Sequence, residues 1–277
     1  MKKATTLFSA ALLISSLSFG QGFKMPALSP STQITQEFST SKIELSYSRP
    51  SMRGRAIFGK MIPFGQEWRT GANANTKITF GEEVVIGGKT IPAGSYSIYT
   101  VPGKKTWEFI LNNGTENWGM TGYDKAKNVI TLAVKPQKSS KVETFTISID
   151  NMTKNSCDLV LSWEKTKLVI PIIANNDKLI QAYLDKALQS DKPPYLAASR
   201  YYLEKGIKLD KSLEYANKAL EQDPKAFYIN AHKAEVLYKL DRKDEAIKAA
   251  QIAADATKGT PYEAEYANIL NSLKKRK

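Results

Sequence analysis

The period of the hydrophobic pattern changes once along this chain, close to Ala174, and this change constrains the fold most. Before it, short runs alternate apolar and polar residues between turns rich in glycine and proline. Such alternation is typical of half-buried strands, and frequent turn signals between them indicate a sandwich or barrel. After it, apolar residues recur every three or four positions, as on one face of a helix. We therefore expect a mainly β domain followed by an all-α domain.

The strands of the first domain can be placed individually, and we interpret them as an antiparallel β-sandwich or jelly-roll-like domain. Gly87 and Gly88 stand between two short apolar runs. They predict a tight hairpin, because its turn needs positive φ at both central positions. Strands are expected at residues 34–38, 42–48, 76–80, 84–86, 89–91, 95–101, 106–111, 129–134, 144–149, 159–164 and 167–172.

The second domain contains an internal repeat. Residues 212–213 and 219–220 recur as similar pairs of residues 34 positions later, at 246–247 and 253–254. This period resembles that of the tetratricopeptide repeat, in which small residues let paired helices approach closely. By analogy, the resemblance implies a scaffold that binds a protein partner.

The first twenty residues have the pattern of a secretory signal peptide. Lys2 and Lys3 precede an apolar run at residues 7–17, and small residues at Ser18 and Gly20 suit a signal peptidase. The run is shorter than the roughly 20 residues that a membrane-spanning helix needs. We expect cleavage after Gly20, export to the periplasm or the extracellular space, and no stable membrane insertion. A short N-terminal membrane anchor is the alternative.

These patterns divide the chain into four segments. They are a signal peptide (1–20), an N-terminal lead-in (21–41), a β domain (42–173) and a helical domain (174–277). The formal net charge of +13 favours anionic partners. An exported protein rarely meets nucleic acid, so we expect anionic glycans, lipid head groups or acidic proteins instead. A generic solvated basic surface is the alternative.

The inventory of reactive side chains limits the chemistry. The only histidine, His232, lies in the helical domain, and the only cysteine, Cys157, lies in a strand where we expect a buried thiol. The β domain therefore lacks the imidazole of a Ser-His-Asp or Cys-His system and the ligands of a His or Cys metal site. We expect no metal and no cofactor. The carboxylates near the glycine-rich loops are Glu67, Glu108, Glu116 and Asp124.

Residues 47–76 are rich in arginine, glycine, proline and aromatic residues and show neither strand nor helix periodicity. Irregular segments of this kind are held by a scaffold and often carry function. Guanidinium groups suit carboxylate, sulfate or phosphate, and indole rings offer a flat apolar surface. We predict that the arginines converge beneath such a surface. The candidate ligand-binding residues are Arg49, Arg55, Trp68, Arg69, Asn73, Asn117 and Trp118.

A purely structural interpretation of this segment is the alternative. The arginines would then pair with nearby glutamates or loop carbonyls to hold the irregular backbone, and Trp68 and Trp107 would belong to the core. Buried polar networks of this kind often serve only to satisfy loop backbone groups.

The first domain resembles a family of secreted bacterial proteins described only as a domain of unknown function. The resemblance covers about residues 42–172. It is carried by residues 48–51 (S-R-P-S), 54–55 (G-R), 57–59 (I-F-G), 65–73 (G-Q-E-W-R-T-G-A-N), 91–96 (I-P-A-G-S-Y) and 117–119 (N-W-G). It implies no activity, cofactor or catalytic residue.

Two functional interpretations therefore remain, and whether the protein is an enzyme is left open. In the first, an exported, non-catalytic binding or assembly protein uses its β domain for a small or glycan ligand and its helical domain for a protein. In the second, two facing carboxylates hydrolyse a cell-envelope or other glycan.

Overall fold

The structure, a computed structural model, describes residues 25–275. The predicted signal peptide, its cleavage site and the first residues of the lead-in lie outside this range. The chain divides into two compact units, with the boundary between Ala174 and Asn175. Among the described residues, no helix combines the length and apolarity needed to cross a membrane.

Within the described part of the first unit, ten strands pair antiparallel in two sheets. The strands are β1 (Ser31–Phe38), β2 (Ser41–Ser48), β3 (Thr76–Phe80), β4 (Val84–Ile86), β5 (Lys89–Ile91), β6 (Gly94–Val101), β7 (Trp107–Asn112), β8 (Asn128–Val134), β9 (Gln137–Asp150) and β10 (Ser156–Ala174). The six-stranded sheet has the order β1-β2-β3-β6-β7-β8, and the four-stranded sheet has the order β5-β4-β10-β9.

Buried side chains from both sheets form one hydrophobic cluster. Trp68 and Trp163 stack within it, with ring centroids 5.7 Å apart, and Phe145 packs on both rings. Tyr47 of β2 joins the two sheets, because its hydroxyl donates to the Ile147 carbonyl (3.1 Å) and accepts from the Ile147 N–H (2.8 Å). Burial raises the pKa of this phenol. The two sheets therefore share one core, and the Tyr47 hydroxyl links them across it.

The hairpin between β4 and β5 forms where the two glycines predict it. Gly87 has φ +57° and Gly88 has φ +78°, a pair of left-handed conformations that glycine adopts without steric cost. Val84 pairs with Ile91 and Ile86 with Lys89 across this turn. The turn sets the register that buries the apolar residues of this hairpin.

Three strands extend well beyond their predicted bounds, and one of them is β9, which begins at Gln137 and not at the predicted residue 144. β1 pairs with β2 over its whole length, from Ser31 to Phe38, so the end of the predicted lead-in belongs to the six-stranded sheet. The strands predicted at 159–164 and 167–172 are a single strand, β10. The register of β10 against β9 shifts on both sides of Glu164, which has φ +56°. Such bulges keep a strand paired while they break its alternation, which explains why the pattern indicated two strands.

The described part of the second unit contains six helices. They are α1 (Asp177–Ala187), α2 (Tyr195–Lys205), α3 (Leu209–Gln222), α4 (Phe227–Lys239), α5 (Lys243–Ala256) and α6 (Glu263–Lys275). Helices α3 and α5 both have 14 residues, and they begin 34 positions apart. The small residues at matching positions of both helices are buried, and they are Ser212, Ala216, Ala219, Ala246, Ala250 and Ala253. These small side chains allow neighbouring helices to pack closely.

The single histidine is part of a buried polar network between helices. The Ser199 hydroxyl donates to the Ser212 carbonyl (2.6 Å), and the Ser212 hydroxyl donates to the Ser199 carbonyl (2.7 Å). His232 Nε2 lies 2.7 Å from Ser199 Oγ, so Nε2 is the donor when the hydroxyl proton points to Ser212. Burial, with a smaller contribution from Arg200, lowers the pKa of His232 to about 4. His232 is therefore a neutral helix-packing residue at neutral pH.

Candidate functional site

The segment that connects β7 to β8, residues 113–127, covers part of the outer face of the six-stranded sheet. We call it the β7–β8 loop. Along β6, Ser97 and Tyr99 alternate with the core residue Ile98, so they belong to the face opposite the core. Both are nevertheless fully buried. Ser97 donates to the Gly114 carbonyl (2.7 Å), and Asn117 Nδ2 donates to the Tyr99 hydroxyl (3.1 Å). The loop is thus held against the sheet by hydrogen bonds.

Asn112 closes the base of this loop. It is fully buried, and its amide nitrogen donates to the Asp124 carbonyl (2.9 Å) and to Asn128 Oδ1 (2.7 Å). Its amide oxygen accepts the Gly114 N–H at 2.8 Å. One side chain therefore fastens both ends of the loop, and buried amides satisfied in this way rigidify the segments they join.

The Trp118 side chain protrudes from this anchored loop, and 67 % of the residue surface is exposed. On one side, Asn117 is fixed to Tyr99. On the other, Gly119 is buried with φ +65°, and a β-carbon there would clash with Nη1 of Arg69. A glycine is therefore required for the guanidinium of Arg69 to lie against the loop backbone. The loop backbone is thus held on both sides of an exposed indole, and the guanidinium of Arg69 lies against the neighbouring Gly119.

Only one of the three candidate arginines lies at this loop. Arg69 Nη1 donates to the Asn73 carbonyl at 3.1 Å, and no other hydrogen bond or ion pair of its guanidinium occurs within residues 25–275. Asn73 has φ +60°, and its side chain donates to the Ser29 carbonyl (3.2 Å). The structure thus brings Arg69 and Asn73 together with Asn117 and Trp118.

Arg49 and Arg55 have different surroundings, so the three arginines do not share the predicted single surface. Arg49 is half-buried and donates to the Phe145 carbonyl (3.2 Å) and Thr146 Oγ1 (2.8 Å). Arg55 donates to the carbonyls of Met52 and Ser51, both at 2.9 Å. Both forks support loop and strand segments, as the structural alternative described. Their partners explain the difference, because protein oxygens already accept from Nε and Nη2 of each guanidinium, the pair of donors that would bind an anion side by side.

Trp68 contributes no open surface, contrary to its predicted place above the arginines. It is 8 % exposed, and its backbone pairs with Thr100 in both directions (2.8 and 2.9 Å). Its indole N–H donates to the Gly71 carbonyl at 3.1 Å. These bonds turn the ring inward onto Trp163. The core interpretation of Trp68 and Trp107 therefore describes the structure better, since Trp107 is also buried.

Three of the four candidate carboxylates lie near the loop and each has a partner, whereas Glu108 is exposed at the opposite end of β7. Glu67 bonds Lys125 at 2.5 Å and Glu116 bonds Lys77 at 3.1 Å, and these lysines lower the pKa of each carboxyl group. Asp124 Oδ1 accepts the Ala126 N–H at 2.9 Å and caps a short 3-10 turn. A glycosidase needs one carboxyl group with a raised pKa as its general acid. The shifts at Glu67 and Glu116 run in the opposite direction.

The polar layer beneath the loop was not predicted from the sequence. Asn75 donates to Ser97 Oγ and to the Thr115 carbonyl, and the Tyr99 and Tyr123 rings lie 4.5 Å apart. Burial raises the pKa of Tyr99. One signal was present, because asparagines end β7 and begin β8 on either side of a glycine-rich segment. Buried asparagines at such positions indicate a fastened loop.

The fold and the site define a class of protein: a two-sheet antiparallel β unit with a loop-covered outer sheet face, followed by a helical unit. Residues 29–172 match the family described as "Protein of unknown function (DUF2911)", and the chain belongs to this family. The match begins just before β1 and ends two residues before the end of β10. No curated protein matches the chain.

Proposed function

We propose that this is an exported, non-catalytic binding protein whose first unit is a β-sandwich that binds an anionic saccharide at Trp118 and Arg69. The observation that carries the proposal is the exposed indole of Trp118 on a loop fastened at Asn112, Asn117 and Gly119. A loop backbone held in place before binding loses little conformational entropy when a ligand covers its exposed ring. The flat indole face suits the apolar face of a sugar ring.

The chemistry beside the ring favours an anionic substituent. A guanidinium has five N–H donors in a planar fork, and Arg69 uses one side of its fork for the Asn73 carbonyl. The remaining donors have no acceptor within residues 25–275. Guanidinium geometry matches a carboxylate or sulfate group. A uronic acid or a sulfated sugar therefore fits a site in which a ring stacks on Trp118 and its charge meets Arg69.

Fluorescence quenching can test this site directly. Trp68, Trp107 and Trp163 are buried, so acrylamide should quench mainly Trp118. We expect trigalacturonate or a chondroitin sulfate tetrasaccharide to protect this indole, and neutral maltotriose to protect it less. Arg69→Met should abolish the preference for the charged sugars while it costs less than about 1 kcal/mol of stability, since it removes one hydrogen bond of a half-exposed side chain.

The matched control is Tyr183→Ala, which removes an aromatic ring that is 63 % exposed in the second unit. Binding by calorimetry should vanish in Trp118→Ala and persist in Tyr183→Ala. If neither anionic oligosaccharide changes the quenching of the parent protein, the proposed ligand class is wrong.

Export and the role of the second unit rest on separate observations. The N-terminal pattern supports cleavage after Gly20, and the 34-residue offset between α3 and α5 supports a tetratricopeptide-like scaffold for a protein partner. Intact mass of the protein from the exported fraction should show Gln21 as its first residue, and chemical crosslinks to a partner should map to residues 175–275. A cytoplasmic protein that retains Met1, or crosslinks confined to the first unit, would contradict these proposals.

A further inference from the structure

Four segments of the first unit meet at one end of its sheets. We call this region the lysine end, and it consists of residues 57–65, 101–108, 134–141 and 164–167. The Gly65 N–H donates to the Pro102 carbonyl at 2.8 Å. Trp107 pairs with Val134 across β7 and β8. The first three segments are therefore neighbours in space, although residues 57 and 141 are 84 positions apart along the chain.

The fourth segment is tied to the others through β9 and the irregular loop. Lys138 pairs with Thr166 across β9 and β10. The Phe58 N–H donates to Glu164 Oε2 at 3.4 Å, and the Phe58 ring lies 4.6 Å from that of Trp107. These contacts bring the four segments together at one end of the two sheets.

The lysine end carries an excess of positive charge. It contains eight lysines and two glutamates, a net formal charge of +6. Seven of these lysines are exposed and Lys167 is half-buried; the eight are Lys60, Lys104, Lys105, Lys135, Lys138, Lys141, Lys165 and Lys167. Within residues 25–275, none of their ammonium groups forms an ion pair or a hydrogen bond.

Other lysines of the same unit do have carboxylate partners. Lys42, Lys77 and Lys125 each pair with a glutamate at 2.5–3.1 Å. Residues on adjacent strands lie about 5 Å apart and successive residues about 3.3 Å apart, so neighbouring charges at the lysine end lie within roughly one screening length of each other. Their mutual repulsion is relieved when an external anionic surface covers them.

The same end exposes two apolar side chains. Met61 is 39 % and Phe64 is 38 % exposed, and both lie in the loop that contains Lys60. The Gly59 N–H donates to the Ile62 carbonyl at 2.7 Å, which closes the loop tightly. Gly59 has φ +81° and the Phe64 ring lies against it, where a β-carbon would clash. The loop thus holds an apolar tip among lysines.

We infer that the lysine end docks on an anionic lipid bilayer surface. Met61 and Phe64 enter the boundary between head groups and acyl chains, and the lysines bind the lipid phosphates around them. Apolar side chains flanked by lysines are typical of proteins that bind at a membrane interface. Lysine acts as a point charge and suits a diffuse array of phosphates, whereas arginine suits a single oriented anion. A soluble polyanion would make no use of the apolar tip.

Co-sedimentation with lipid vesicles tests this inference. The full chain should bind vesicles of phosphatidylcholine mixed with phosphatidylglycerol more tightly than vesicles of phosphatidylcholine alone. The triple variant Lys104→Gln, Lys105→Gln, Lys138→Gln should weaken that binding on the order of fivefold per lysine removed. Every variant keeps the same N-terminal residues, so any binding by the apolar run at 7–17 is equal in all of them.

The matched control removes three exposed lysines of the second unit: Lys225→Gln, Lys239→Gln and Lys248→Gln. It has the same net charge as the triple variant and should bind mixed vesicles like the parent. Phe64→Ser should also weaken vesicle binding but leave its salt dependence unchanged. Equal losses in both triple variants would overturn the proposal. A Phe64→Ser variant that binds vesicles normally, with lysine-dependent binding to dextran sulfate, would also overturn it and indicate a soluble polyanion.

Discussion

Replacing Trp68 with alanine is expected to lower the free energy of unfolding of the first unit by about 3–5 kcal/mol. The indole is 8 % exposed, stacks on Trp163 with ring centroids 5.7 Å apart, and contacts Phe145. Its removal leaves a cavity between the two sheets. It also leaves the Gly71 carbonyl without the indole N–H that now donates to it, which adds the cost of an unsatisfied buried acceptor.

Trp118→Ala is the matched variant, because the same residue type is removed from an exposed position in the same unit. Its indole is 67 % exposed, so we expect a change of less than about 0.5 kcal/mol. Urea unfolding should be followed by circular dichroism, since fluorescence itself changes with the number of indoles. Similar losses in the two variants would show that Trp118 is packed and would remove the basis of the proposed site.

Acidification is expected to destabilise the second unit through His232. Burial lowers the pKa of this imidazole to about 4 in the folded protein, from an ordinary value of 6.5. Between these values the unfolded chain binds a proton that the folded chain does not, so stability falls as the pH falls. The contribution is fully present above pH 6.5 and lost by about pH 4. The shift corresponds to about 3 kcal/mol over this window.

The control for this effect is His232→Gln, whose amide can still donate to Ser199 but does not titrate. Thermal unfolding of parent and variant should be compared from pH 7.5 to pH 4 in the same buffers, so that titrating carboxylates contribute equally to both. The parent should lose more stability than the variant. Parallel pH profiles would show that the folded protein protonates His232 as readily as the unfolded chain does.

The regular elements could be predicted from local patterns. The change from strands to helices along the chain and the hairpin turn at Gly87 and Gly88 follow from patterns of neighbouring residues, and the structure has both. The continuity of β10 could not be predicted in the same way. The bulge at Glu164 reverses the alternation, and only pairing with β9 keeps the strand intact. The local hydrophobic pattern does not show which strand pairs with β10.

Only some of the candidate site residues lie together, because distant contacts that the local pattern does not show decide where each arginine lies. Arg49 and Arg69 are close in sequence and share the same chemistry, so sequence proximity grouped them. The partner of Arg49 is the Phe145 carbonyl, 96 positions away, and this distant contact decides that Arg49 supports the scaffold. Trp118 and Arg69 are 49 positions apart, yet the β7–β8 loop brings Gly119 against the guanidinium. Long-range strand pairing therefore determined which candidates lie together.

The place of β4 beside β10 also sets an order of assembly. The six-stranded sheet forms from strand pairs that are close along the chain, and all its strands have been synthesised once residue 134 is available. Ile86, by contrast, pairs with Ile172, which is synthesised 86 positions later. Closing so long a loop is entropically costly, and contacts of this range form slowly. Until then Val84 and Ile86 have no partner strand on that side, and a nascent chain released before Ile172 would keep this edge open to other chains.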